Sequence, residues 1–166
     1  MNACSRSNLQ LDDETLAIIY LEKLMRILVA SDGSTHSLRA VKYAAKLAGM
    51  MQMPKAELTL INVHDDIALR HAKSFVGKVV VEEYLQELSD KETKSARKIL
   101  DESGCAYDVK SKTGHISEEI TALAHAKKYD LIVLGSKGRG AIADILIGSV
   151  AQRVLATAKV PVLLVK

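Results

Sequence analysis

The sequence predicts an α/β domain: an open parallel sheet with helices on both faces. Three observations carry that expectation. From Met25 onward, short apolar runs alternate with segments of helical period, which is the pattern of strand–helix units feeding one parallel sheet. Hydrophobic residues make up 48% of the 166-residue chain while aromatics supply only 4%, with no Trp and one Phe. The core must therefore come from Leu, Ile, Val and Ala, as it does where helices cover parallel strands. Finally, a glycine-rich stretch falls between an apolar run and a helical one, at the edge of the sheet where such folds place ligands.

The elements follow in chain order. Ile27-Leu28-Val29-Ala30 reads as a first buried strand. Leu38, Val41, Ala45 and Ala48 then recur at helical spacing after a cap among Ser34, Thr35 and Ser37, and Gly49 marks the helix end. Glu57 to Val63 is the second strand. Val79 to Glu102 forms a long helix whose inner residues are read as Val80, Tyr84, Leu88, Ala96, Ile99 and Leu100, with a bend near Ser89-Asp90 and Gly104 as its stop. Tyr107 to Lys112 carries too little apolar character for a central strand and is expected at a sheet edge. Ser117 to Lys128 is helical, with Glu118 and Glu119 in the first turn and Lys127-Lys128 in the last, matching the helix dipole. Leu131 to Leu134 is a strand, Ser149 to Lys159 a helix packing Val150, Val154 and Leu155 inward, and Val160 to Val165 the last strand.

Other segments resist this reading. Asp65 to Lys78 lacks a period and is expected to be a loop or lid beside the ligand cleft. Met50-Met51-Gln52-Met53 is read as a helix end closing over the core. Residues 1–24 look appended to a domain spanning 25–166: either a misread start, or an arm or amphipathic helix from about Asp13 to Leu24.

Composition narrows the function. A net charge of +3 without any block of five like charges argues against a nucleic-acid surface and suits a small anionic ligand. Cys4 and Cys105 stand apart from each other and from any Cys/His cluster, so neither disulfide framework nor zinc site is expected. The five histidines lack metal spacing. No apolar run approaches the ~20 residues that cross a bilayer, and the expected compartment is the cytoplasm.

The stretch Gly135-Ser-Lys-Gly138-Arg-Gly-Ala-Ile-Ala-Asp-Ile-Leu-Ile-Gly148-Ser149 has the spacing G-x2-G-x9-G-[S/T] and reads as a phosphate cradle. Glycines let backbone N–H groups approach an anion, and the following helix turns its positive end toward it. Lys137 and Arg139 add cations, Arg139 being the less certain ligand; both also fit solvated loop charges. Two more strand ends converge there: Ala30-Ser31-Asp32-Gly33-Ser34 and Asn62-Val63-His64-Asp65. Asp32 can hold a ribose or a base edge, the Val63 backbone can read the base, and phosphates would fall on Gly138, Gly148 and Ser149.

With Val29-Ala30-Ser31-Asp32-Gly33-Ser34, Asn62-Val63, the full glycine motif and Val160-Pro161-Val162-Leu163-Leu164-Val165 in place, the chain from Met25 to Lys166 resembles the universal stress protein family in its ATP-binding subclass. The resemblance implies an adenine nucleotide alpha hydrolase-like sheet of strand order 3-2-1-4-5 and a homodimer paired through Val160–Val165. It also implies ATP as ligand, with or without Mg2+, and a nucleotide-dependent regulatory role in the stress response. It carries Ala30, Ser31, Asp32 and Val63 to the base and ribose, and Gly135, Lys137, Gly138, Gly148, Ser149 and Val150 to the phosphates. Ala30 replaces a Pro found in some members, and Ala151 a hydroxyl residue. Alternatives stay open: a slow ATPase or adenylating enzyme, although Ser31–Ser37 matches a pyrophosphatase loop poorly and offers no base; a site for AMP or a cyclic nucleotide; or a scaffold without nucleotide. No catalytic residue and no protein-held metal are assigned, and neither nucleic acid nor membrane is an expected partner.

Overall fold

The computed structural model describes residues 24–51, 55–65, 78–140 and 146–166. Within them lie five strands, β1 (Met25–Ala30), β2 (Ala56–His64), β3 (Tyr107–Thr113), β4 (Leu131–Gly135) and β5 (Val162–Val165). The helices are α1 (Thr35–Met50), α2 (Lys78–Ser103), α3 (Ile116–Ala126) and α4 (Ser149–Thr157). All strand pairs are parallel, in the order β3-β2-β1-β4-β5, as expected. The chain runs outward from β1 through β2 to β3, then returns to the other side of β1 for β4. Connections leave β1 and β4 in opposite directions, so a crevice opens beyond their carboxyl ends.

Alternation along the strands sorts the core into two layers. Ile27, Val29, Leu58, Leu60 and Val133 face one way, against Ala40, Val41, Ala44, Ala45 and Ala48 of α1 and Ala96 and Leu100 of α2. Leu28, Ile61, Ile132 and Leu134 face the other way, against Ile120, Leu123 and Ala124 of α3 and Val154 of α4. Each fully buried Leu, Ile or Val contributes roughly 1.5–3 kcal/mol relative to its exposed state. The alanine stripe lets α1 lie close on the sheet. That closeness is greatest at Gly135, where a Cβ would stand 2.6 Å from the His36 carbonyl carbon and 2.7 Å from the Ser37 nitrogen. Ser34 caps α1, its hydroxyl accepting from the Ser37 N–H at 3.3 Å.

Several expectations require correction. The inner stripe of α2 is Val81, Leu85, Ser89, Thr93, Ala96 and Leu100, whereas Val80 and Tyr84 are 51% and 56% exposed. Three consecutive valines, Val79 to Val81, offer more than one apolar register, and the Ser and Thr on the true stripe hid it. A buried Thr93 hydroxyl donates to the Ser89 carbonyl at 2.7 Å, and α2 runs unbroken through Ser89-Asp90. Met50 is 70% exposed and covers no core, while Gln52 and Met53 lie outside the described residues. In α4 the buried residues are Ala151 and Val154, Leu155 is exposed, and the helix stops at Thr157 because the backbone turns extended at Ala158. β5 begins at Val162; Pro161 precedes it, its carbonyl accepting from the Ile132 N–H at 3.0 Å. β3 is an edge strand, as expected, with no fully buried residue. The expectations for residues 1–23 and for the loop across 66–77 fall outside the described residues.

The α2 register is checked by urea denaturation. Leu85→Ala should cost about 2–4 kcal/mol, whereas Tyr84→Ala should stay within about 0.5 kcal/mol; equal losses would reverse the assignment. Gly135→Ala should cost at least ~1–3 kcal/mol through overpacking against α1, and a neutral result would show that α1 can back away from β4.

Candidate functional site

A cavity of about 490 Å³ opens at the carboxyl ends of β1, β2 and β4. All ten residues assigned from sequence border it: Ala30, Ser31, Asp32, Val63, Gly135, Lys137, Gly138, Gly148, Ser149 and Val150. Apolar walls come from Ile61, Ile116, Ile120 and Leu134, while His64, Arg139 (read from the sequence as the less certain ligand) and Glu92, which the sequence reading did not single out, add polar ones. Its volume lies within the ~300–1,000 Å³ typical of small-molecule sites, and its mixture of apolar wall and a few polar groups is equally typical.

One end is an arrangement of backbone donors. The loop leaves β4 at Gly135, and Gly148 returns to it, its N–H donating to the Ser136 carbonyl at 2.8 Å. Gly148 is the N-cap of α4 and has no side chain to satisfy the helix's first N–H groups. Those groups, at Ser149 to Ala151, border the cavity and carry the partial positive charge of the helix end. No acidic residue in the first turn offsets it. Gly138 is constrained from the other side, since a Cβ there would lie 3.0 Å from Asp32 Oδ2. Gly135 has the packing role against α1 described above besides its place in the wall.

Beside this loop the cavity is bordered by Asp32, at the end of β1, and by β2 beyond its pairing with β1. Asp32 Oδ1 accepts from the Ser34 N–H at 3.0 Å, and Oδ2 from the Arg139 N–H at 3.1 Å. Burial pushes the Asp32 carboxyl up, but hydrogen bonds from Ser34, Ser37 and the Arg139 backbone outweigh it and hold the pKa below the ordinary value. Asp32 is therefore ionised at neutral pH. Ser31 is buried and organises this turn: its hydroxyl pairs with that of Ser37 at 3.1 Å and accepts from the Gly33 N–H at 3.2 Å. On β2, the Ile61 carbonyl accepts from Ser31 N–H and the His64 carbonyl from Gly114 N–H. Bonding to alternate sides places the Val63 peptide groups toward β1, past the point where β1 has turned away. They are positioned to read a ligand.

Arg139, read from the sequence as the less certain ligand of the cradle, joins Glu92, Asn62 and His64 in a cluster that the sequence did not foretell. Arg139 Nη2 pairs with Glu92 Oε1 at 2.6 Å, and Arg139 Nε donates to the Asp32 carbonyl at 2.5 Å. Glu92 Oε2 accepts from Asn62 Nδ2 at 3.0 Å, and the same amide donates to the Ser31 carbonyl at 2.9 Å. His64 Nδ1 lies 3.9 Å from Glu92 Oε2. Burial lowers the His64 pKa, Glu92 opposes that and Arg139 reinforces it. Glu92 lies beside a stripe, Ser89, Thr93 and Ala96, that only the structure reveals as buried, and there a carboxylate needs a partner. Among the described residues, no three His, Cys, Asp or Glu side chains come together as a metal site, and no helix is long and apolar enough to cross a membrane.

Comparison with known proteins agrees with the fold. The model of the universal stress protein family matches residues 23–166. Universal stress protein MJ0531 of Methanocaldococcus jannaschii is 33% identical over 141 residues, covering 85% of this chain and 81% of its own. A universal stress protein of Thermus aquaticus is 32% identical over 141 residues, covering 84% of this chain and 97% of its own. Among solved structures, MJ0577 of Methanocaldococcus jannaschii superposes with a TM-score of 0.70 at 25% identity, covering 89% of this chain and 96% of that one. With the strand order, the glycine loop and a match over nearly all of the described fold in agreement, the chain belongs to the universal stress protein family.

Proposed function

We propose that this chain binds an adenine nucleotide, ATP foremost, and acts as a nucleotide-dependent regulatory protein rather than through rapid turnover. The observation that carries the reading is the polarity of one cavity. Backbone donors and the α4 N-terminus border it on the β4 side and the Val63 peptide groups on the β2 side, with Asp32 at the end of β1 between them. A nucleotide has the same polarity, phosphate at one end and hydrogen-bonding ribose and base at the other. Two structures of this fold support the ligand class: a universal stress protein in complex with cAMP and one from Archaeoglobus fulgidus in complex with dAMP. Mg2+ brought with a triphosphate would take its ligands chiefly from phosphate oxygens and water, as Mg2+ commonly does. We further propose a homodimer through β5. That strand pairs with β4 on one side, its residues are all apolar and half-buried, and its other edge has no strand partner among the described residues. An apolar unpaired edge favours addition of a second sheet.

Mass spectrometry of small molecules released on denaturing the purified protein should find ATP or ADP. Added ATP at about 100-fold its Kd should stabilise the protein by roughly 2.7 kcal/mol, a rise of about 5–10 °C in Tm. Gly148→Val should remove that rise; Gly148 has ordinary φ and ψ and a Cβ there meets nothing closer than 3.5 Å, so the variant should still fold, at a cost of about 1 kcal/mol for the poorer N-cap. An equal ATP-induced rise in the variant would dismiss the site. Light scattering at micromolar concentration should give twice the 18.1 kDa chain mass; a single-chain mass would dismiss the dimer.

A further inference from the structure

We propose that Glu92 sets how many phosphates the site prefers, by holding the Arg139 guanidinium against α2 and the β1 end. The inference rests on the adenine-nucleotide reading. Arg139 follows Gly138 in the glycine loop, where a cation would ordinarily serve the phosphates. Its side chain is instead turned to Glu92 Oε1 at 2.6 Å and the Asp32 carbonyl at 2.5 Å, with its backbone N–H on Asp32 Oδ2 at 3.1 Å.

The Glu92 side chain is only 11% exposed, and its other oxygen is fixed by Asn62 Nδ2 at 3.0 Å. The Arg139 side chain is 53% exposed, so water screens its end of the pair, but stripping the partner from the buried Glu92 carboxylate is still costly. Phosphates entering the cavity therefore compete for Arg139 against a carboxylate already in place. A single phosphate at the α4 N-terminus loses little by this, since the backbone donors there suffice. Each further phosphate adds negative charge that a released Arg139 would stabilise. Glu92 thus narrows the difference in affinity between mono- and triphosphate. The carboxylate comes from α2, outside the glycine motif, so two chains with the same motif can differ in ligand through this one position.

Isothermal titration calorimetry with AMP and with ATP, at constant ionic strength, gives the ratio of their Kd values for wild type, Glu92→Gln, Glu92→Asp and the double variant Glu92→Gln/Arg139→Ala. Glu92→Gln keeps an acceptor for Asn62 and removes the charge that holds Arg139; it should shift the ratio about tenfold toward ATP. The double variant has the wild-type net charge and should return to within about threefold of the wild-type ratio. Glu92→Asp keeps the charge but retracts it by one methylene, and should give an intermediate shift; it also carries the test if circular dichroism shows Glu92→Gln unfolded. An unchanged ratio in both single variants overturns the proposal. So does a shift that persists without Arg139, or one present in Glu92→Gln and absent in Glu92→Asp, which would make it an effect of net charge alone. If neither nucleotide binds any folded variant, the nucleotide reading itself fails and this proposal with it, whereas binding with an invariant ratio removes the proposal alone.

Discussion

The approach of His36 and Ser37 to Gly135, leaving no room for a Cβ, fixes the distance between the two loops that make the cavity. One loop leaves β1 and enters α1; the other leaves β4 and reaches α4. Because the first turn of α1 rests directly on the end of β4, Asp32 and the Arg139 backbone meet within hydrogen-bond distance at 3.1 Å. Gly138 then fits against the Asp32 carboxylate, and Gly148 closes on Ser136 at 2.8 Å. Each of these contacts presupposes the one before it. The alanines of α1 serve the same end over the rest of the helix, keeping it low on the sheet.

Much of this was legible in the sequence because it depends on local signals. Short β-branched and leucine runs mark β1, β2, β4 and β5, and glycine spacing marks the loop; the sheet order came from the family resemblance rather than from any run of residues. The failures on α2 share one physical cause. Where side chains of mixed chemistry line a buried face, period alone does not say which face is inside. On α2 the apolar Val80 and Tyr84 point outward, whereas Ser89 and Thr93 point inward beside Ala96 and Leu100. The same mixture concealed Glu92. Its importance arises from a pairing with Arg139, 47 positions away (139 − 92), and no local pattern records a contact of that kind. The ten residues read as lining the cavity all border it, since strand ends and glycine turns place themselves through topology.

The polar groups around the cavity divide by how firmly they are held. Ser31, Ser34 and Ser37 form a closed set of hydrogen bonds at the start of α1, and Asp32 is fixed by it as an ionised group. The Asn62 and His64 side chains are held less completely. Asn62 Oδ1 and His64 Nε2 are buried without a hydrogen-bond partner, at a desolvation cost of about 1–3 kcal/mol for each such group. The framework of the site is thus rigid on the β1 side and incompletely satisfied on the β2–α2 side, a distribution common where a fold gives up stability for a binding surface.

The glycine at the N-cap of α4 has a consequence for how order spreads through the molecule. A serine or aspartate there would complete the helix from within the chain; Gly148 leaves that task to whatever occupies the cavity. An anion seated on the first turn is then a structural part of α4, supplying the acceptor that the sequence omits. The nine residues of α4 also cover Leu134 and Ile132 through Val154 and lead directly into β5 at the sheet margin. Were an anion bound there, its hold on the first turn of α4 would extend through Val154 to Ile132 and Leu134 and along the short connection to β5.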